Sequence, residues 1–109
     1  MTDFTHKLTP VIKPGSDRHK EMVGWRHQIH AHPELAYMEQ KTSDLIAKKL
    51  TEWGVEHTRN WAETGIMARI KGQAGEGPTI ALRADMDALP LDEANTFAHR
   101  SQHQGKMHD

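Results

Sequence analysis

The stretch Thr79-Ile-Ala-Leu-Arg-Ala-Asp-Met-Asp-Ala-Leu-Pro90 decides the fold that this sequence predicts. It starts with an apolar run and then places Arg83, Asp85 and Asp87 at alternate positions. Alternate side chains share one face of a strand, so the three charged groups are expected to project together from its carboxyl end. Open α/β sheets bind their ligands at that end of their strands. The stretch therefore predicts a buried strand, 79–85, that carries charged groups to a site.

The two aspartates have two possible roles. Carboxylates this close repel each other, and one would take up a proton unless positive charge lay nearby. Arg83 supplies one positive charge, and a metal ion could supply more. Alternatively, Arg83 and Asp85 form a surface ion pair, and the aspartates are turn or cap residues. Spacing alone leaves both interpretations open.

The remaining chain predicts an α/β fold in the order helix, helix, strand, strand, strand. Pro10, Pro14 and Gly15 discourage regular structure, which predicts an irregular N-terminal arm over residues 1–15. Apolar residues at helical spacing predict the two helices, the first stopped by a proline and the second by a glycine. The predicted bounds are 17–31 and 39–53 for the helices, 55–61, 65–71 and 79–85 for the strands, and 91–109 for an irregular tail.

The third strand implies that the sheet is incomplete. A strand as apolar as Ile80 to Ala84 needs cover on both faces and a neighbour at each edge. Two helices and two further strands cannot provide all of that. We therefore expect residues 16–109 to be part of a larger domain, with more chain normally following Asp109.

Composition narrows the possible functions. The 109 residues are 36% hydrophobic and 27% charged, with a formal net charge of −1, so there is no basic excess to neutralise nucleic-acid phosphates. The apolar runs are far shorter than the ~20 residues that a membrane-spanning helix needs. The N-terminus does not resemble a secretory signal, and the absence of cysteine is compatible with a reducing compartment. We predict a cytoplasmic protein without nucleic-acid or membrane partners.

Nine histidines raise the question of a metal site. His30 and His32 flank an alanine, with Glu34 close by, and could hold a transition metal. Alternatively they only end the first helix, which we favour because a stable site needs three or four converging ligands. The same argument disfavours an independent metal site in the tail, which contains His99, His103 and His108.

The sequence motifs of the chain resemble those of the metal-dependent N-acyl-amino-acid amidohydrolases. This group contains the hippurate hydrolases and the indoleacetyl-amino-acid hydrolases, within the zinc-aminoacylase and carboxypeptidase superfamily. The similarity extends from about Met22 to Asp109, about four fifths of the sequence, and its motifs are specific only in combination. They are Arg26, His30-Ala-His-Pro-Glu-Leu35 with Glu39 and Thr42, Thr64-Gly65, Leu82-Arg-Ala-Asp-Met-Asp-Ala-Leu-Pro90, Glu93, Ser101 and Gly105-Lys-Met-His108.

The resemblance implies a zinc-peptidase-like catalytic domain that hydrolyses the amide bond of small N-acyl amino acids. It implies two divalent metal ions, such as Zn, Mn, Ni or Co, and a homodimer. Asp87 matches the family's aspartate that orients a metal ligand, and Asp85 is a neighbour of the site. The family's cysteine and histidine ligands follow Gly-x-Met-His, so none of its metal ligands lies in this chain.

These expectations imply that the 109-residue chain neither binds the paired metals nor hydrolyses anything alone. Two alternatives stay open. One is a small histidine-rich metal-binding module that uses His30, His32 and the tail histidines. The other is a non-functional truncated gene product whose open strand edge causes aggregation.

Overall fold

The computed structural model describes residues 11–109, and it contains two helices and a β-hairpin. Helix α1 spans Asp17–Ala31, helix α2 spans Gln40–Glu52, strand β1 spans Glu56–Trp61 and strand β2 spans Gly65–Arg69. This order confirms the helix, helix, strand, strand part of the prediction. Residues 11–16 are irregular, and residues 1–10 of the predicted arm lie outside the described residues.

Helix α1 has the predicted bounds because its two ends are specified locally. The Ser16 hydroxyl accepts a hydrogen bond from the backbone N–H of His19 at 3.3 Å, which satisfies one of the free donors of the first turn. At the other end the backbone N–H of His32 donates to the carbonyl of Ile29. Pro33 follows directly and keeps His32 out of helical geometry, as predicted.

Helix α2 ends in a glycine-dependent cap. Gly54 adopts a left-handed conformation with φ 68°, which glycine enters without steric penalty. Its N–H donates to the carbonyl of Thr51, and the N–H of Val55 donates to that of Leu50. These two bonds are the Schellman pattern, and they satisfy carbonyls that the helix end leaves free. The predicted stop at Gly54 is confirmed.

The hairpin turn forces unusual backbone geometry. Strands β1 and β2 pair antiparallel, with a register shift between Thr58 and Trp61. Ala62 and Glu63 in the turn have φ of 45° and 76°. A side chain at Gly65 would place its Cβ 2.5 Å from the Trp61 carbonyl oxygen, so this position requires glycine.

Helix α2 lies between α1 and the hairpin. The Trp25 ring of α1 and the Trp53 ring that ends α2 lie 5.4 Å apart at a tilted angle. Toward the hairpin, the Arg59 guanidinium of β1 donates to the buried Ser43 hydroxyl and, at 2.6 Å, to the Asp44 carboxylate. Polar contacts therefore contribute much of the packing between helix α2 and the hairpin.

The predicted third strand is wrong for this chain. Residues 79–85 have no strand pairing in the described structure, and the side chains expected to be buried are open to solvent, with Ile80 85% and Leu82 96% exposed. The physical reason is that a strand exists only through a neighbour that accepts and donates its backbone hydrogen bonds. Here the sheet consists of β1 and β2, and neither pairs with this segment.

The described part of the chain buries little apolar surface. Its buried hydrophobic side chains are three alanines, Ala31, Ala47 and Ala88. The radius of gyration is 17.0 Å, compared with about 13 Å for a compact chain of roughly 100 residues. Within residues 11–109, no helix has the length and apolar character needed to cross a membrane.

Candidate functional site

The Asp-Met-Asp segment, residues 85–87, forms one side of an open cleft of about 390 Å³, here called the Asp-Met-Asp cleft. The opposite side comes from the loop between the helices and from the hairpin turn. The loop between the helices and the hairpin turn, both distant in sequence, therefore meet at the Asp-Met-Asp segment. The cleft is lined among others by Tyr37, Glu39, Trp61, Thr64, Arg83, Asp85 and Asp87.

The two aspartates of the segment have different environments. The Arg83 guanidinium lies 2.7 Å from the Asp85 carboxylate, and both side chains are largely exposed. This is the surface ion pair that the sequence allowed, and such pairs contribute little to stability. Asp87 is half-buried, and it borders the same cleft. The cleft thus contains one carboxylate already paired with a cation and a second, more enclosed one.

The wall opposite the aspartates rests on a buried polar pair. The Thr64 hydroxyl donates to the Glu39 carboxylate at 3.1 Å, and both residues are buried. Beside them Tyr37, Ala62 and Glu63 all have positive φ. Non-glycine residues in this region are strained by roughly 1 to 3 kcal/mol each and cluster where function needs a fixed geometry. This wall therefore combines a buried polar pair with three strained backbone positions.

Glu34 fixes the loop that leads into the wall. Its carboxylate accepts hydrogen bonds from the Thr42 hydroxyl and backbone N–H, both at 2.7 Å, and from the Lys41 N–H at 3.0 Å. Partial burial raises the pKa of Glu34, but these hydrogen bonds outweigh that effect and hold the pKa below its ordinary value. Glu34 therefore caps the first turn of α2 as a carboxylate.

The tail, residues 91–109, returns to the Asp-Met-Asp segment. The N–H and carbonyl of Leu89 exchange hydrogen bonds with those of Met107. Next to them the His108 imidazole donates from Nε2 to the Met86 carbonyl at 3.1 Å. The His108 Nδ1 atom is buried and unpaired within the described residues. Position 108 thus lies directly beside the segment that carries both aspartates.

A second cluster anchors the tail to helix α1. The His30 imidazole donates to the Glu93 carboxylate at 2.6 Å, and the Ser101 N–H donates to the same oxygen at 3.0 Å. The hydrogen bond from His30, opposed by desolvation and helped by Asn95 and Ser101, lowers the pKa of Glu93 to about 2. The His99 ring stacks on His27 at 3.6 Å between ring centres. Desolvation and the neighbouring positive groups lower the pKa of His99.

These histidines do not form the multi-ligand site that the alternative of a metal-binding module requires. Across residues 11–109, no group of three or more His, Asp or Glu side chains is arranged to hold a metal ion. His30 is engaged by Glu93, and Asp85 by Arg83. The described residues therefore do not fit a dinuclear metal centre by themselves.

Sequence reasoning missed several features of the site. The chain pattern did not show that Tyr37 and Trp61 border the cleft. Nor did it show that, among residues 11–109, Tyr37, Asn60, Ala62 and Glu63 have left-handed backbone conformations. Nor did it pair His30 with Glu93, although both were noted separately. Asn60 next to the hairpin turn is a weak signal for left-handed geometry, because asparagine tolerates that conformation better than most residues.

The comparisons with known proteins point to one group. No family model matches the chain. It is 42% identical over 88 residues to an N-acyl-L-amino acid amidohydrolase of Geobacillus stearothermophilus, covering 81% of this chain and 24% of that protein. It is 45% identical to the IAA-amino acid hydrolase ILR1-like 5 of Arabidopsis thaliana, covering 80% and 20%. It is 42% identical to the hippurate hydrolase of Campylobacter jejuni, covering 76% and 21%.

A solved structure agrees with these relatives. The fold matches a Bacillus subtilis protein described as a dinuclear metal-binding peptidase of the M20 family, with a TM-score of 0.77 and 38% identity. The match covers 85% of this chain and 26% of that one. The chain thus spans about a quarter or less of the length of the proteins it matches. By sequence and by fold, the chain is similar to part of the N-acyl-amino-acid amidohydrolases and hippurate hydrolases, and the solved structure that it matches is described as a peptidase of the M20 family.

Proposed function

We propose that this chain is the N-terminal part, residues 16–109, of the catalytic domain of an amidohydrolase that cleaves the amide bond of N-acyl amino acids. The observation that supports the proposal best is that the tail, residues 91–109, returns to the Asp-Met-Asp segment. His108 contacts the carbonyl of Met86, between the two aspartates. In the family that the chain resembles, the Cys-Gly-His ligand motif begins shortly after this histidine. Chain continuing past residue 109 would therefore enter beside the Asp-Met-Asp cleft.

Within this site Asp87 and Asp85 have separate proposed roles. Asp87 is half-buried at the cleft, which suits a residue that orients another side chain by accepting a hydrogen bond. Asp85 lies in an exposed pair with Arg83 and is proposed as a neighbour that adjusts the local charge. Neither residue is proposed to contact a metal ion.

The remaining properties proposed for the whole enzyme rest on the same resemblance. We propose that the two divalent ions, such as Zn, Mn, Ni or Co, are held by residues outside this chain, because the described residues offer no multi-ligand cluster. The 109-residue chain should then be inactive alone. The full enzyme is proposed to be a cytoplasmic homodimer acting on a small N-acyl amino acid.

A chimera tests the proposal. The chain replaces its 88 matching residues in the Geobacillus stearothermophilus amidohydrolase, and hydrolysis of N-acetyl and N-benzoyl amino acids is measured. We expect activity in the chimera and none in the isolated chain supplied with Zn²⁺ or Mn²⁺. Asp87→Asn should lower kcat by about ten- to a hundredfold without changing the melting temperature, and Asp85→Asn should have a smaller effect.

Three outcomes would contradict parts of this proposal. A chimera that is folded by circular dichroism but cleaves neither substrate would argue against the assigned activity. Metal-dependent release of glycine from hippurate by the isolated chain would overturn its predicted inactivity. Equal losses of kcat in the two aspartate variants would remove the distinction between their roles.

A further inference from the structure

The peptide groups on both sides of Asp87 are held by partners that are distant in sequence. The Met86 carbonyl, which belongs to the peptide group before Asp87, lies 3.1 Å from the His108 Nε2 atom. The Ala88 N–H, which belongs to the peptide group after Asp87, donates to the Glu34 carbonyl at 2.8 Å. A peptide group is planar, so fixing its oxygen or its N–H restricts the backbone dihedral next to it. The two contacts therefore restrict both φ and ψ of Asp87.

The contact at Met86 also defines the tautomer of His108. A carbonyl oxygen can only accept, so the proton of this hydrogen bond lies on Nε2 of the imidazole. The Nδ1 atom of the same ring is buried and has no hydrogen-bond partner among residues 11–109. A proton on Nδ1 would therefore be a buried donor without an acceptor, which is unfavourable. Both observations indicate an imidazole that is protonated at Nε2 and not at Nδ1.

The backbone next to His108 is fixed as well. The Leu89 N–H donates to the Met107 carbonyl at 2.8 Å, and the Met107 N–H donates to the Leu89 carbonyl at 3.1 Å. This bridge aligns the tail with the segment that contains Asp87 and brings the following residue, His108, next to Met86. Because the chain is already held there, less conformational entropy is lost when the His108 ring makes its hydrogen bond.

We propose that His108 is a positioning residue of the Asp-Met-Asp cleft, which holds the Met86 peptide group so that the Asp87 carboxylate keeps one orientation. This role rests on the proposed amidohydrolase function, in which Asp87 orients another side chain. A carboxylate can orient a partner accurately only if it is itself held in place. Asp87 is half-buried at the cleft, whereas the exposed Asp85 is already paired with Arg83 and should depend less on His108.

A double-mutant cycle tests this role in the amidohydrolase chimera, made so that it includes residues 22–109 of this chain. His108→Leu should lower kcat about tenfold with little change in KM, because it removes a hydrogen bond that supports an orienting residue. In the Asp87→Asn background the same change should lower kcat less than about twofold, because His108 acts through Asp87. Equal fold losses in the two backgrounds would overturn the proposal, since a purely structural role affects both alike.

His108→Gln separates the donor from the rest of the imidazole ring. The amide nitrogen of glutamine can replace the Nε2 donor, so kcat should stay within about threefold of the parent. A His108→Gln variant as impaired as His108→Leu would contradict the donor role. His57→Leu is the matched control, since the His57 ring also contacts a backbone carbonyl, that of Val55, but lies on the hairpin. Its kcat should equal that of the parent.

NMR of the 109-residue chain tests the inference without using activity. Nitrogen spectra of the His108 ring at pH 7.5 should show a proton on Nε2 and none on Nδ1. The carbon signal of the Asp87 carboxyl should move in His108→Leu and stay near its parent position in His108→Gln, while circular dichroism shows unchanged helices. A proton on Nδ1, or an Asp87 signal that is the same in all three chains, would overturn the proposal. An inactive chimera together with the expected spectra would contradict the hydrolase function and support the positioning of Asp87 by His108.

Discussion

The Nε2 atom of His30 lies 2.6 Å from the Oε1 atom of Glu93, and this contact joins the last turn of helix α1 to a residue 63 positions further along the chain. The side chains are 15% and 4% exposed, so the pair is largely shielded from water. Glu93 also accepts hydrogen bonds from Ser101 and Asn95. One carboxylate thus fixes both the start of the tail and its course toward the Asp-Met-Asp cleft.

Acid should loosen the tail through Glu93. Its pKa is about 2 in the folded chain and 4.5 ordinarily, so between these values the unfolded state binds more protons. The stability that Glu93 contributes is therefore complete above about pH 4.5 and is lost as the pH falls toward 2. Carbon NMR of the Glu93 carboxyl, followed between pH 2 and 6, measures its titration. In His30→Ala the pKa should rise, because the strongest hydrogen bond to the carboxylate is gone.

Two observations would contradict the proposed role of Glu93 in holding the tail. One is a Glu93 carboxyl that titrates near 4.5 in the parent chain. The other is a Ser101 amide whose hydrogen exchange is as slow in Glu93→Gln as in the parent at pH 6, because the tail would then be held by other contacts.

Glu34→Ala should destabilise the chain by about 1 to 2 kcal/mol, because it removes the acceptor for two backbone N–H groups at the start of α2. Urea unfolding followed by far-ultraviolet circular dichroism measures the change. Glu52→Ala is the matched control, since its exposed pair with Lys49 should contribute less than about 1 kcal/mol. Equal losses in the two variants would mean that Glu34 does not cap α2.

Relief of the strained hairpin turn should stabilise the chain. Ala62 and Glu63 both have positive φ, which asparagine and glycine adopt at lower cost. The double variant Ala62→Asn, Glu63→Gly should therefore gain about 1 kcal/mol in unfolding free energy. Ala68→Gly in strand β2 is the control, and it should lose about 0.5 to 1 kcal/mol. A destabilised double variant would show that the left-handed turn is absent in solution.

The exposed apolar segment should make the chain self-associate. Ile80 and Leu82 are 85% and 96% exposed, and exposed apolar side chains favour association. Replacing both with lysine should reduce association in sedimentation-velocity experiments at rising concentration. The unfolding free energy should change by less than about 0.5 kcal/mol, since exposed side chains lose few contacts. If the lysine variant associates as strongly as the parent chain, Ile80 and Leu82 do not cause the association.

The sequence predicted those elements whose hydrogen bonds are local. Helix α1 was predicted with its observed bounds, and α2 to within one residue at each end, because Ser16, Pro33 and Gly54 act on backbone groups a few positions away. The start of β2 at Gly65 was also predicted, from the alternating apolar residues that follow it. The motifs around residues 82–90 contributed to recognising the resemblance to the amidohydrolases, because such a resemblance depends on the order of residues in the sequence and not on their packing.

Only the tertiary structure decided what depends on distant partners. An apolar, alternating segment at 79–85 meets every local condition for a strand, yet it forms none here because no neighbouring strand supplies its hydrogen bonds within the described chain. For the same reason neither the contact of His30 with Glu93 nor that of His32 with His103 could be read from spacing. Local propensity specifies which backbone conformations are available, whereas pairing across dozens of residues is determined by the packing of the whole chain.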